Sequence, residues 1–120
     1  MILSDTSVLL YYLQGKDFIL PYKNELFAIS VITEIELIGV KNISEEDLKI
    51  RNSLISQSII YPFTGEIKKL AIELKQKTRL RIPDAIIAAT AIQFNLTILT
   101  TDKDFASIPH LSLIILKPTN

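Results

Sequence analysis

Residues Ala85-Ile86-Ile87-Ala88-Ala89-Thr90-Ala91-Ile92 form a helix-length run that is apolar on nearly every side. Pro83, just ahead of it, suits the first position of a helix, where a missing N–H costs nothing. A helix without a polar face is stable only when other elements cover it, so this segment is expected to be central and buried. Its small alanines let neighbouring backbone come close. Hydrophobic residues make up 48% of the 120 positions and charged residues 22%. That is enough for one core and too little for two, so residues 1–120 are expected to form a single domain.

The rest of the chain alternates short apolar runs with helical patterns. Ile2-Leu3 reads as a buried first strand, followed by a helix from Thr6 to Leu13 that Gly15 closes. Leu26 to Ile29 reads as a second strand. Ser30 then caps a helix from Val31 to about Gly39. Ser44 and Asp47 approximate a capping box that opens a helix over 45–57. Ile59-Ile60-Tyr61 is a third strand, and Thr64 caps a helix whose Ile67, Leu70, Ala71 and Leu74 fall on one stripe. Thr97 to Thr100 and Leu111 to Leu116 supply the last two strands. Strands alternating with helices indicate an α/β domain with a mainly parallel sheet.

On that map the acids fall at corresponding places. Asp5 follows the first strand, Glu34 and Glu36 lie on the helix after the second, Asp84 is in the first turn of the apolar helix, and Asp102 and Asp104 follow the fourth strand. The carboxyl ends of parallel strands share one edge, where ligands bind. Each acid alone has an ordinary use: Asp5 as a cap, Asp84 as a complement to a helix dipole, Asp102 and Asp104 as turn formers. Together they predict a convergent anionic cluster, which must protonate or be neutralised. A hard divalent cation such as Mg²⁺ or Mn²⁺ does this with oxygen ligands. With no cysteine and one histidine, His110, placed late in a loop, a zinc site is disfavoured.

Charge and hydropathy narrow the partners. The 13 basic and 13 acidic residues cancel, unlike the strongly basic balance of many nucleic-acid binders. Between Lys68 and Arg81, however, six basic residues (Lys68, Lys69, Lys75, Lys77, Arg79, Arg81) face one acid, Glu73. This is either a solvated helix face followed by a loop, or a phosphate-tracking rim beside the acidic site. No apolar run approaches the roughly 20 residues of a membrane-spanning helix, and the first residues lack a secretion signal's basic start. A soluble cytoplasmic protein without membrane contact is expected. Tyr11, Tyr12 and Phe18 are candidates either for an interface or for the core.

Four segments carry a family resemblance. Ser4-Asp5-Thr6-Ser7, Ser30-Val31-Ile32-Thr33-Glu34-Ile35-Glu36-Leu37, Pro83-Asp84-Ala85-Ile86-Ile87-Ala88-Ala89-Thr90-Ala91 and Leu99-Thr100-Thr101-Asp102-Lys103-Asp104-Phe105 resemble, in order, the four motifs of the PIN domain. Their separations are similar to those of VapC toxins from VapBC toxin–antitoxin pairs. The resemblance implies a three-layer α/β/α fold, Mg²⁺- or Mn²⁺-dependent endoribonuclease activity on RNA, neutralisation by a cognate antitoxin, and usually a homodimer. By motif position it makes Asp5 and Asp84 the principal metal ligands. Glu36 and Asp102 would complete the catalytic quartet, and Thr6 would orient Asp5. Helical spacing alone leaves Glu34 and Glu36 open, since they lie about 160° apart around the helix; the Thr-x-x-Glu-Leu match selects Glu36. Asp104 stands as an alternative to Asp102 or a support for it.

Two other readings have distinct signatures. In a phosphatase with an aspartate nucleophile, Asp5, Thr33 and a lysine would act together, yet Asp5-Thr6-Ser7 is not the paired Asp-x-Asp of haloacid-dehalogenase-like enzymes. A non-catalytic PIN-like module would bind RNA or protein without cutting, although all four motifs retain their acids.

Overall fold

The computed structural model describes residues 1–22 and 27–118. Five strands, β1 (Ile2–Ser4), β2 (Phe27–Ser30), β3 (Ile59–Tyr61), β4 (Thr97–Thr100) and β5 (Leu113–Ile115), form one sheet in the order β3-β2-β1-β4-β5. Every pairing is parallel, so the sheet expected to be mainly parallel is wholly so. Five helices connect it: α1 (Thr6–Leu13), α2 (Val31–Ile38), α3 (Glu45–Ser56), α4 (Gly65–Lys77) and α5 (Ile82–Phe94). No helix among the described residues is long and apolar enough to cross a membrane.

Strand alternation sorts the side chains into two cores. Leu3, Ala28 and Ile98, aligned by register across three strands, pack with α4 and α5 on one face. Phe27, Ile29 and Leu99 face the other way, with Val8 and Leu9 of α1, Leu37 of α2 and Ile55 of α3. The result is the three-layer α/β/α arrangement. The chain runs outward from β1 through β2 to β3, then returns through α4 and α5 to β4 on the other side of β1. That reversal makes the crevice beyond β1 and β4 a topological switch point, where parallel sheets bind ligands.

The local signals explain the element ends. The Ser30, Ser44 and Thr64 hydroxyls accept from Ile32 N, Asp47 N and Ile67 N, capping α2, α3 and α4. Gly15, at φ 73°, takes the left-handed turn after α1 that a side chain would oppose. Pro83 falls at the second helical position of α5, not the first, because the helix begins at Ile82. This too is tolerated, since the first four N–H groups of a helix have no internal partner. Two short 3₁₀ segments, Asp17–Tyr22 and Lys103–Ser107, were not foreseen, and β5 is shorter than the apolar stretch 111–116. Leu26, expected to open β2, lies outside the described residues.

Helix α5 is central but not sealed. Ala85, Ile87, Ala88, Ala89 and Ala91 are buried against the sheet and α4, whereas Ile92 keeps 40% of its surface and Ile82 64%. The sheet, α2 and α4 cover only part of the circumference. The alanines are what allow α4 and the sheet to close on α5. Ala88 is fully buried within the core cluster that α4, α5 and the sheet share. Ala88→Leu should lower unfolding stability by about 1–3 kcal/mol in urea titrations, while Ile92→Lys on the open flank should change it little.

Candidate active site

The site grows from the end of the central strand. The ladder between β1 and β4 runs one residue past the strand, because Asp5 N donates to Leu99 O at 2.9 Å. This fixes the Asp5 backbone at the switch point before α1 begins. Its carboxylate is then held from three directions. Oδ1 accepts from Thr6 N at 2.8 Å, and Oδ2 accepts from the Thr100 hydroxyl at 2.7 Å and the Ser7 hydroxyl at 3.3 Å. Only 6% of Asp5 is exposed. Burial raises its pKa above the ordinary carboxylate value; the hydrogen bonds from Thr100, Thr6 and Ser7 pull the other way, and the charge of Asp102 adds to the rise. Three neutral donors do not compensate for the lost water.

Asp84 enters from the first turn of α5, set there by the helix start at Ile82. Its pKa is pushed up to about 6, first by burial and then by the negative charges of Asp5, Asp102 and Glu36, against a smaller opposing effect of Arg81. Asp84 therefore feels carboxylates from three other segments of the chain. Glu36 comes from the solvent side of α2, where its Oε1 accepts from the Thr6 hydroxyl at 2.7 Å; Thr33 Oγ1 lies 3.1 Å from the same hydroxyl. Asp102 caps the 3₁₀ segment after β4: its Oδ1 accepts from Asp104 N at 2.9 Å, while its own amide donates to Thr100 Oγ1 at 3.0 Å.

These contacts decide the ambiguities of placement. Glu36 is tied to the Asp5 neighbourhood through Thr6, and Glu34 has no such tie. Asp102 is the fourth-motif acid whose charge reaches Asp5 and Asp84. Asp104 lies in a neighbouring groove with Lys77 and Arg79. Thr6 contacts Asp5 through its backbone: its amide donates to that carboxylate, and its hydroxyl is spent on Glu36. Thr100 has the role that sequence reasoning missed, because it joins Asp5 and Asp102 through a single hydroxyl. His110 is exposed in a turn at φ 64°, well suited to neither core nor ligand duty. Tyr11 and Phe18 stack edge to face at 5.2 Å and belong to the core on the α1 side. Tyr12 alone of the three is exposed.

The donor set is made of carboxylates and hydroxyls, which suits a hard cation such as Mg²⁺ or Mn²⁺. Among the described residues, no three acidic or histidine side chains stand close enough to grip one ion as they lie. Burial first, and then the charges of neighbouring acids, raise the pKa of Asp84, and a divalent cation beside these acids would offset that charge.

Comparison with known proteins agrees with this geometry. The PIN domain profile matches residues 2–111. The chain belongs to the PIN domain family. Its fold is also similar to solved structures of toxin–antitoxin systems. A toxin–antitoxin complex from Klebsiella pneumoniae contains a chain 28% identical, with a TM-score of 0.82 over 95% of this chain and 96% of that one. VapBC2 from Rickettsia felis, bound to a promoter DNA fragment, gives 27% identity and a TM-score of 0.77 over 96% and 98%. FitAcB from Neisseria gonorrhoeae gives 25% and 0.75 over 95% and 96%. No curated protein sequence matches. PIN domains are typically metal-dependent nucleases, and the acids of this PIN domain occupy the edge where such chemistry needs them.

The electrostatics have a measurable sign. Asp84 binds its proton more tightly in the folded chain, near pH 6, than in the unfolded chain, near 3.8. Folding therefore takes up a proton between these values, and stability falls as pH rises through that window. Asp5, shifted in the same direction, reinforces the trend. In chelator, melting temperatures recorded from pH 4.5 to 7.5 should show the gap between Asp84→Asn and the parent widening in favour of the variant as pH rises. A gap independent of pH would show that Asp84 is not strained by its neighbours.

Proposed function

We propose that this PIN domain is a VapC-like endoribonuclease that hydrolyses RNA phosphodiester bonds with Mg²⁺ or Mn²⁺, and that a cognate antitoxin restrains it. The observation that carries the reading is the convergence of acids on one sheet edge, where Asp84, raised first by its own burial, also feels the charges of Asp5, Asp102 and Glu36. Such an arrangement costs stability in the free chain and gains purpose when a cation enters.

Asp5 and Asp84 are the residues that would hold the ion, with Glu36 and Asp102 completing its surroundings. When bound, the cation would neutralise charge on the phosphate and lower the pKa of a coordinated water. The protein supplies the positioning. Thr100, Ser7 and the Thr6 amide fix the rotamer of Asp5 and leave one Oδ1 lone pair that a cation would take. Glu36 has one oxygen anchored by Thr6, which leaves the other to orient an attacking water and accept its proton. Arg81, at the start of α5, opposes the negative field at Asp84 and can also meet the phosphate.

The relatives solved in toxin–antitoxin complexes support an antitoxin partner for this chain; a cytoplasmic homodimer is the accompanying proposal, resting on the motif resemblance alone. Co-expression with the product of a small adjacent reading frame should give a complex that co-purifies and lacks cleavage activity.

Incubation of the purified chain with total RNA should give defined ends that disappear with chelator and return with Mg²⁺ or Mn²⁺. Asp5→Asn and Asp84→Asn should each reduce cleavage at least about a hundredfold, roughly 2.7 kcal/mol at the transition state, with circular dichroism unchanged. A folded Asp84→Asn chain with undiminished metal-dependent cleavage would overturn the assignment. RNA binding without cleavage in any divalent ion would instead leave a non-catalytic PIN-like module.

A further inference from the structure

Beside the acidic crevice runs a groove of about 360 Å³, lined by Lys77, Thr78, Arg79 and Leu80 on one wall and Lys103, Asp104 and Ser107 on the other. Three cations face one acid there, on a chain whose net charge is zero. Both walls lead directly into the site. Arg79 lies two residues before Arg81 and five before Asp84, and Lys103 follows Asp102.

The walls are also pinned by their own hydrogen bonds. The Thr78 hydroxyl donates to Leu74 O at 2.8 Å and accepts from Leu80 N at 3.2 Å, closing the end of α4 into a tight turn. Lys75 Nζ donates to Leu80 O at 2.9 Å, and the Leu80 side chain is buried. Leu80 is thus anchored at its amide, carbonyl and side chain, and Arg79, held between two fixed neighbours, points its exposed side chain outward. Across the groove, Ser107 Oγ donates to Asp104 O at 2.8 Å and Asp104 N to Asp102 Oδ1 at 2.9 Å, which sets Lys103 on a fixed turn. The backbone groups named here are already partnered. What remains for a ligand is the charge of Lys77, Arg79 and Lys103.

We propose that this groove holds backbone phosphates of the RNA strand on one side of the scissile bond, with Lys77, Arg79 and Lys103 as the cations that meet them. The inference rests on the ribonuclease reading and adds a substrate subsite to it. It also divides the basic stretch seen in the sequence. Lys75 is a clamp for the loop, and Lys68 lines a separate apolar groove between α4 and α5. A single-stranded ligand fits the arrangement because cations on both walls of one groove can meet backbone phosphates and read no base. Arg79, with its planar fork, is the strongest phosphate donor of the three.

The test is fluorescence anisotropy of a labelled single-stranded RNA with the Asp84→Asn chain, in which cleavage is suppressed, across a salt series. The Lys77→Gln, Arg79→Gln, Lys103→Gln variant in that background should bind at least about tenfold more weakly at 0.1 M salt. Its log–log salt slope should fall by about 2, or roughly 0.7 for each phosphate no longer neutralised. Arg79→Lys should keep the slope, and the control Lys68→Gln, Lys69→Gln should behave as the parent, with all melting temperatures matched. Unchanged affinity and slope in the triple variant would overturn the proposal. So would an equal weakening in the control, which would mean diffuse surface charge. Abolished antitoxin binding with intact RNA binding would make the groove a protein surface and also overturn it. Cleavage by the unaltered chain is read separately. Groove-dependent binding without cleavage leaves the subsite standing and removes the nuclease; cleavage with a normal triple variant does the reverse.

Discussion

Asp5 brings a carboxylate to the end of the central strand, into a place where water scarcely reaches. The surrounding structure is organised by that burden. The chain reverses direction across the sheet at β1, so the strand ends of β1 and β4 open the crevice that Asp5 faces. The hydrogen bond from Asp5 N to Leu99 O locks the two strand ends together, and Thr100 turns its hydroxyl back onto the same carboxylate. Burying an acid this firmly raises its pKa; Asp84 is raised too, first by its own burial and then by the charges of Asp5, Asp102 and Glu36. Burial and repulsion together lower stability at this edge, a cost that a bound cation would offset.

The second layer of the site consists of neutral hydroxyls. Thr6 serves two acids through two different atoms, and Thr100 serves two through one. Ser7 lies 3.3 Å from both Asp5 Oδ2 and Thr101 Oγ1, extending the network to the loop after β4. Hydroxyls suit this position because they can orient a carboxylate without cancelling its charge. A lysine in place of Thr100 would instead offset part of the negative charge of Asp5 and Asp102. Such a network is cooperative, so the loss of one member releases more than one hydrogen bond.

How much of this was visible in the sequence depended on whether the signal was periodic or geometric. The apolar stretch 85–92 announced a central helix, and the strand-then-acid pattern at Asp5 and Asp102 announced a shared edge, because period and topology fix both. Spacing could not rank Glu34 against Glu36, since both flank the same stripe; a hydrogen bond from another helix separates them. The role of Thr100 was hidden for the same reason, because it depends on two strands that meet only in the folded chain. The 3₁₀ segments have no periodicity to detect, and the open flank of α5 depends on which neighbours happen to cover it. Even Thr6, the residue expected to orient Asp5, acts on it through its backbone, which residue type does not encode.

The neutral net charge then acquires a physical meaning. On the proposed nuclease reading, a chain that is acidic at its centre must attract a polyanion without relying on its overall field, because that field is absent at distances beyond a Debye length. Attraction has to be local and close to the acids. The loop between α4 and α5 answers this demand, because one segment both ends the helix that packs on α5 and leads into the first turn that carries Asp84. Lys75 stabilises that loop, Arg79 and Lys77 face the groove, and Arg81 faces the acids. Four cations in seven residues therefore take three separate positions, and what divides them is the direction in which a pinned backbone turns each side chain.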